Sequence, residues 1–77
     1  MEMPHHHKLG ELFEQLGLPG NAAAVNDFCA RYRLGRDIAL ADAPFWTAQQ
    51  AQFLREAWNA DADWVSTIDA LAARLRH

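Results

Sequence analysis

The segment over residues 43–58, APFWTAQQAQFLREAW, constrains the fold most because it contains the clearest helix start in the chain. Thr47 followed three residues later by Gln50 is a capping box, in which each side chain bonds the other residue's backbone N–H. The pattern predicts a helix over about residues 48–59. Its apolar positions form a broad stripe that is typical of a helix contacted on two sides: Ala51, Phe53, Leu54, Ala57 and Trp58.

Apolar residues recur at helical spacing in three further segments. The first spans about residues 7–16 and ends at Gly17, which can take the left-handed conformation that closes a helix. The second spans about residues 22–32 after Asn21, a favourable N-cap. The last spans about residues 62–75, with acidic residues at its start and arginines at its end. We therefore expect an all-α bundle of three to four short helices.

The connection between the last two predicted helices is very short. A short connection favours antiparallel neighbours, so we expect helices three and four to form an antiparallel hairpin.

The connection over residues 33–43 leaves two interpretations open. Asp37 could cap a single helical turn, whereas the alternation of Ile38 and Leu40 with alanines is equally typical of an extended segment. We expect an ordered connection pinned by Leu34, Ile38 and Leu40, with a short helical turn as the alternative.

A chain of 77 residues predicts one domain over residues 1–77, with residues 1–6 as a flexible N-terminus. The formal charge of −3, from 7 basic and 10 acidic residues, argues against nucleic-acid binding, which needs clustered cations. No apolar run approaches the length of a membrane span. The N-terminal residues lack the apolar core of a signal peptide, and one cysteine fits a reducing compartment. We expect a cytoplasmic protein.

The sequence does not favour an enzyme. Cys29 lies on the apolar stripe of the second helix, where a free cysteine is usually a small core residue and not a nucleophile. The carboxylates form no evident acid–base pair, and there is no Gly-rich phosphate loop and no metal-ligand pair at helical spacing. We expect no catalytic residues and no cofactor.

A histidine cluster near the N-terminus provides one alternative function. His5, His6 and His7 could bind zinc, copper or nickel weakly, with His77 as a further ligand. Adjacent histidines point about 100° apart in a helix and do not easily share one metal ion. Weak metal binding is therefore the second hypothesis.

Three Trp, four Phe and one Tyr are many aromatic residues for so short a chain. Most of them are expected to fill the core, but three tryptophans would crowd a core of this size. At least one is expected at an interface, since tryptophan is common at binding hot spots. The candidates for an interaction surface are Phe45, Trp46, Trp58 and Trp64.

Three stretches resemble a family of small bacterial proteins defined as a domain of unknown function. These stretches are LxxLFEQLGLP (residues 9–19), LADAPFWTAQQAQFLREA (residues 40–57) and DADW (residues 61–64). The resemblance spans most of the chain and implies a short, all-helical, stand-alone protein. It implies no activity and supplies no catalytic residues.

The leading hypothesis is a non-enzymatic protein that forms a homodimer or binds another protein through an aromatic-lined helical surface. An acidic helical module that mimics or avoids nucleic acid is a third interpretation, with only the net charge in its favour.

Overall fold

The computed structural model describes residues 9–60 and 62–77, and these residues form four α-helices and one 3-10 turn. The helices are α1 (Leu9–Gln15), α2 (Ala22–Arg31), α3 (Ala48–Ala60) and α4 (Ala62–Leu75), and the 3-10 turn Leu40–Asp42 lies between α2 and α3. No strand occurs in these two ranges. The expected all-α class is confirmed, and the predicted helix ends agree within one residue wherever they are described.

The end of α1 is closed by a left-handed glycine. Gly17 has a φ of 77°, which costs a residue without a side chain little. Its N–H donates to the Glu14 carbonyl (3.0 Å), and the N–H of Leu18 donates to the Phe13 carbonyl (2.8 Å). These two hydrogen bonds define a Schellman motif, so the predicted helix stop is confirmed.

Both predicted helix caps are present. The Asn21 side chain accepts a hydrogen bond from the Ala24 N–H at the start of α2 (2.8 Å). At the start of α3, the Thr47 N–H donates to Gln50 Oε1 (2.9 Å) and the Gln50 N–H donates to Thr47 Oγ1 (3.1 Å). Gln50 Nε2 also donates to the Leu16 carbonyl (2.9 Å) and thereby ties the α3 cap to the end of α1.

One hydrophobic core joins the helices. Helix α4 packs against α1, α2 and α3, and the 3-10 turn packs against α3. The largest fully buried side chains come from three of the four helices: Leu12, Phe13, Leu54, Leu71 and Leu75. Helices α3 and α4 are in contact, while their antiparallel hairpin geometry stays a prediction.

The connection between α2 and α3 is ordered, as expected, with one 3-10 turn. The turn follows Ala39 and has no side-chain cap, so Asp37 does not cap it. Leu34 and Leu40 are buried and anchor the segment, but Ile38 is 39% exposed, and the expectation that it pins the connection was wrong. The Leu34 N–H donates to the carbonyl of Leu75 (2.8 Å) and holds this segment on the end of α4.

Two glycines allow the chain to pass close to α1 after leaving it. A Cβ atom added to Gly10 would lie 2.5 Å from the carbonyl oxygen of Gly20, and one added to Gly20 would overlap the carbonyl of Gly10. Backbone atoms cannot move aside as a side chain can. This close approach explains a glycine inside a helix, where it otherwise costs about 1 kcal/mol relative to alanine.

Candidate interaction groove

Phe45 and Trp46 belong to an aromatic cluster on the core. The Trp46 ring stacks on Phe28 with centroids 5.5 Å apart, and Phe45 packs against Tyr32 (4.9 Å). Trp46 Nε1 donates to the Leu40 carbonyl (2.7 Å), which satisfies the indole N–H. Both side chains are half-buried and fix the chain ahead of α3.

Trp58 and Trp64 lie in different surroundings. The Trp64 side chain is half-buried and meets Phe53 edge to face, with ring centroids 5.9 Å apart. Trp58, although it lies on the apolar stripe of α3, is 45% exposed. The four aromatic candidates therefore form no single surface.

Trp58 borders a groove formed by the 3-10 turn, α3 and α4, which we call the Trp58 groove. Its cavity volume is about 380 Å³. Four buried apolar side chains line it: Leu40, Leu54, Ile68 and Ala72. The groove therefore combines a preformed apolar lining with a large exposed aromatic side chain, as binding sites usually do.

Charged residues of both signs surround this apolar lining. Arg55 Nη2 lies 2.7 Å from Asp42 Oδ1, and both side chains are more than half exposed. Asp69 and Arg76 also line the groove, and Arg76 Nη2 donates to the Ile38 carbonyl (3.1 Å). The groove thus has two acidic and two basic residues, and its formal charge is zero.

A family model described as "Protein of unknown function (DUF2789)" matches residues 1–75 of the chain. The chain belongs to this family. The resemblance inferred from the sequence is confirmed, and the family description assigns no activity. No curated protein and no solved structure matches the chain. No helix in the described part of the chain is long and apolar enough to cross a membrane.

Cys29 is a buried core residue. Burial raises the pKa of its thiol, and the positive charge of Arg74 opposes this shift in part. The nearby imidazole contacts backbone oxygens: His77 Nε2 lies 3.0 Å from the Cys29 carbonyl oxygen and 3.3 Å from that of Tyr32. Carbonyl oxygens only accept hydrogen bonds, so Nε2 carries the proton and donates.

The candidate metal ligands are only partly within the described residues. His5, His6 and His7 lie outside them, and the structure describes only His77. Its Nε2 is occupied by the backbone contacts, which leaves Nδ1 for a metal ion. Within residues 9–60 and 62–77 no three His, Cys, Asp or Glu side chains are grouped to hold a metal ion. Metal binding by the histidine cluster stays a prediction.

Several groove residues were not candidates from the sequence. Asp69 is an exposed residue of α4, Arg76 follows the end of that helix, and Leu40 belongs to the connection before α3. No local signal identifies them, because the groove exists only where three separate elements meet. The breadth of the α3 stripe was the available signal: a helix with so many apolar positions cannot bury all of them in a small core.

Proposed function

We propose that this protein is a non-enzymatic interaction protein that associates with a second copy of itself through the Trp58 groove. The observation that carries the proposal is the 45% exposure of Trp58 beside an apolar cavity of about 380 Å³. Covering such a surface removes apolar area from water, which gains about 25 cal/mol per Å². A tryptophan at the edge of a preformed pocket is a typical hot spot.

The charges around the groove favour a second copy as the occupant. In a two-fold interface the same surface faces itself, so acidic residues of one copy can meet basic residues of the other. Asp69 of one copy and Arg76 of the other can meet in this way, whereas Arg55 and Asp42 are already paired with each other within each chain. The four charged residues of the groove sum to zero, so the net charge of −3 comes from residues outside it. Salt screens the repulsion between those more distant charges of the two copies.

The state of the one cysteine supports a non-enzymatic role. Burial raises the pKa of the Cys29 thiol, which makes this side chain less reactive as a nucleophile. A single buried cysteine also supports the cytoplasm as the location we propose.

The test is the molar mass in solution over a wide range of protein concentration, by sedimentation and light scattering. We expect a reversible dimer for the native chain, a monomer for Trp58→Glu and partial retention of the dimer for Trp58→Phe. Tyr32→Ser is the matched control, because Tyr32 is also an exposed aromatic residue (37%) but does not line the groove. A native chain that is monomeric throughout contradicts self-association and leaves a different protein as the partner of the groove.

A further inference from the structure

A second cavity, of about 480 Å³, lies at the C-terminal end of α4. Its lining contains three arginines, one histidine and no acidic side chain: Arg33, Arg36, Arg76 and His77, with Leu34 and Gly35 between them. We call it the basic cavity. Such a concentration of positive charge is unexpected in a chain with a net charge of −3.

In the part of the chain that the structure describes, the arginines outside the basic cavity have side-chain partners, and those inside it do not. Arg31 pairs with Asp27 (3.0 Å), and Arg55 pairs with Asp42 (2.7 Å). The guanidinium of Arg74 donates to Asn26 Oδ1 (2.6 Å). By contrast, Arg33 and Arg36 make no ion pair or side-chain hydrogen bond within the described ranges, and Arg76 bonds only a backbone carbonyl.

Backbone contacts hold the basic cavity in shape. Leu34, which lies between Arg33 and Arg36 in the sequence, is buried, and its N–H donates to the Leu75 carbonyl. The His77 ring is held by the carbonyls at the end of α2, and Arg76 by the Ile38 carbonyl. Residues separated by about forty positions in the sequence are thereby fixed around one space. The backbone that carries Arg33 and Arg36 is thereby held beside Arg76 and His77.

Helix ends explain only part of this cluster. Positive side chains are favourable at helix C-termini because the carbonyl ends carry partial negative charge. The His77 ring contacts carbonyls at the end of α2 through Nε2, and Arg76 follows the end of α4. Arg33 and Arg36 lie beyond both helices in the connection, so capping does not account for them.

We propose that the basic cavity binds a phosphate-type oxyanion with at least two negative charges. Guanidinium groups donate pairs of parallel hydrogen bonds that match phosphate geometry, and no residue of 9–60 or 62–77 takes a hydrogen bond from the side chains of Arg33 and Arg36. A cavity of about 480 Å³ has room for a diphosphate or for a phosphate monoester of a small organic group. This site is separate from self-association through the Trp58 groove, although Arg76 lines both.

The experiment is a titration of the full chain with inorganic pyrophosphate, followed by amide and arginine Nε–H NMR shifts at constant ionic strength. We expect saturable shifts confined to residues 33–36, 76 and 77. Arg33→Gln and Arg36→Gln should each weaken binding by about tenfold, as expected for the loss of one charge-assisted contact. Arg31→Gln is the matched control, since it makes the same change in net charge at an arginine already paired with Asp27.

Two results would overturn the proposal. One is shifts that never saturate or that spread over the surface. The other is an equal loss of affinity in Arg31→Gln and Arg36→Gln, which would mean general charge attraction. Competition by vesicles containing phosphatidic acid identifies a lipid headgroup as the source of the phosphate, and absence of competition identifies a soluble phosphate compound. Both of these outcomes support the site, and Trp58→Glu should bind pyrophosphate as the native chain does.

Discussion

Gly10 and Gly20 are in mutual contact that no side chain can replace. Changing Gly10 to alanine would ordinarily stabilise a helix, by at most about 1 kcal/mol. Here the added Cβ would lie 2.5 Å from the Gly20 carbonyl oxygen, and the resulting backbone shift typically costs about 1–3 kcal/mol. We expect Gly10→Ala to lower the free energy of unfolding, measured with urea. Gln15→Ala, at an exposed position of the same helix, is the control, and an unchanged or raised stability for Gly10→Ala would disprove the constraint.

The buried thiol of Cys29 makes stability depend on pH in a defined direction. Burial raises the pKa of the thiol in the folded chain, whereas the unfolded chain keeps the ordinary value. Below the ordinary value both states are protonated and stability is complete. Above it the unfolded state ionises first, so the free energy of unfolding falls as the pH rises toward the folded pKa. We expect Cys29→Ala to show a smaller fall in urea titrations, and equal slopes for both chains would contradict this account.

Trp58 marks the limit of what periodicity predicts for a single residue. Leu54 and Trp58 are four positions apart on one stripe, yet Leu54 is fully buried and Trp58 is 45% exposed. The spacing places both on one side of the helix but does not say how far the neighbouring elements reach. The 3-10 turn and α4 cover Leu54 and leave Trp58 at the edge of the groove. In the connection before α3, the alternation of apolar residues likewise did not show that Ile38 would be 39% exposed.

The start of α3 is stabilised by its capping box. The Gln50 side chain makes two hydrogen bonds there, one to the Thr47 N–H and one to the Leu16 carbonyl. Thr47→Ala should lower the free energy of unfolding by about 1 kcal/mol, the usual cost of a lost N-cap. Gln50→Ala should cost more, because it also removes the hydrogen bond to the Leu16 carbonyl that ties α3 to α1. Gln49→Ala is the control, as its exposed side chain occupies the same turn. Chemical denaturation measures all three, and equal effects of the Gln49 and Gln50 changes would contradict the assigned roles.

The helices were predictable because their ends are encoded locally. A cap such as Asn21, a box such as Thr47 with Gln50, or a left-handed Gly17 acts within four residues of itself. The connection before α3 was less predictable, since the burial of Leu34 and Leu40 depends on distant elements. Leu34, for example, is held by the Leu75 carbonyl, which no local pattern reveals.

At the scale of the whole molecule, both proposed sites lie where distant segments meet. The Trp58 groove needs the 3-10 turn, α3 and α4, and the basic cavity needs the connection after α2 and the end of α4. The sequence supplied the aromatic candidates but not their separation into a core cluster and an exposed tryptophan. The arginines are visible in the sequence, but their positions around one cavity are not. A negative net charge gives no sign of a local cluster of positive charge.

The different exposures of the three tryptophans allow one experiment to test both the fold and the proposed self-association. In chains that keep one tryptophan and carry phenylalanine at the other two positions, iodide should quench Trp58 more than Trp46 or Trp64, since only Trp58 is largely exposed. Raising the protein concentration should reduce the quenching of Trp58 alone, because a second copy covers the groove while the other two rings stay in the same contacts. Adding Tyr32→Ser to the Trp58 chain is the control and should leave this dependence intact. Quenching of Trp58 that is independent of concentration, in a chain that sediments as a dimer, would show that the copies associate through another surface.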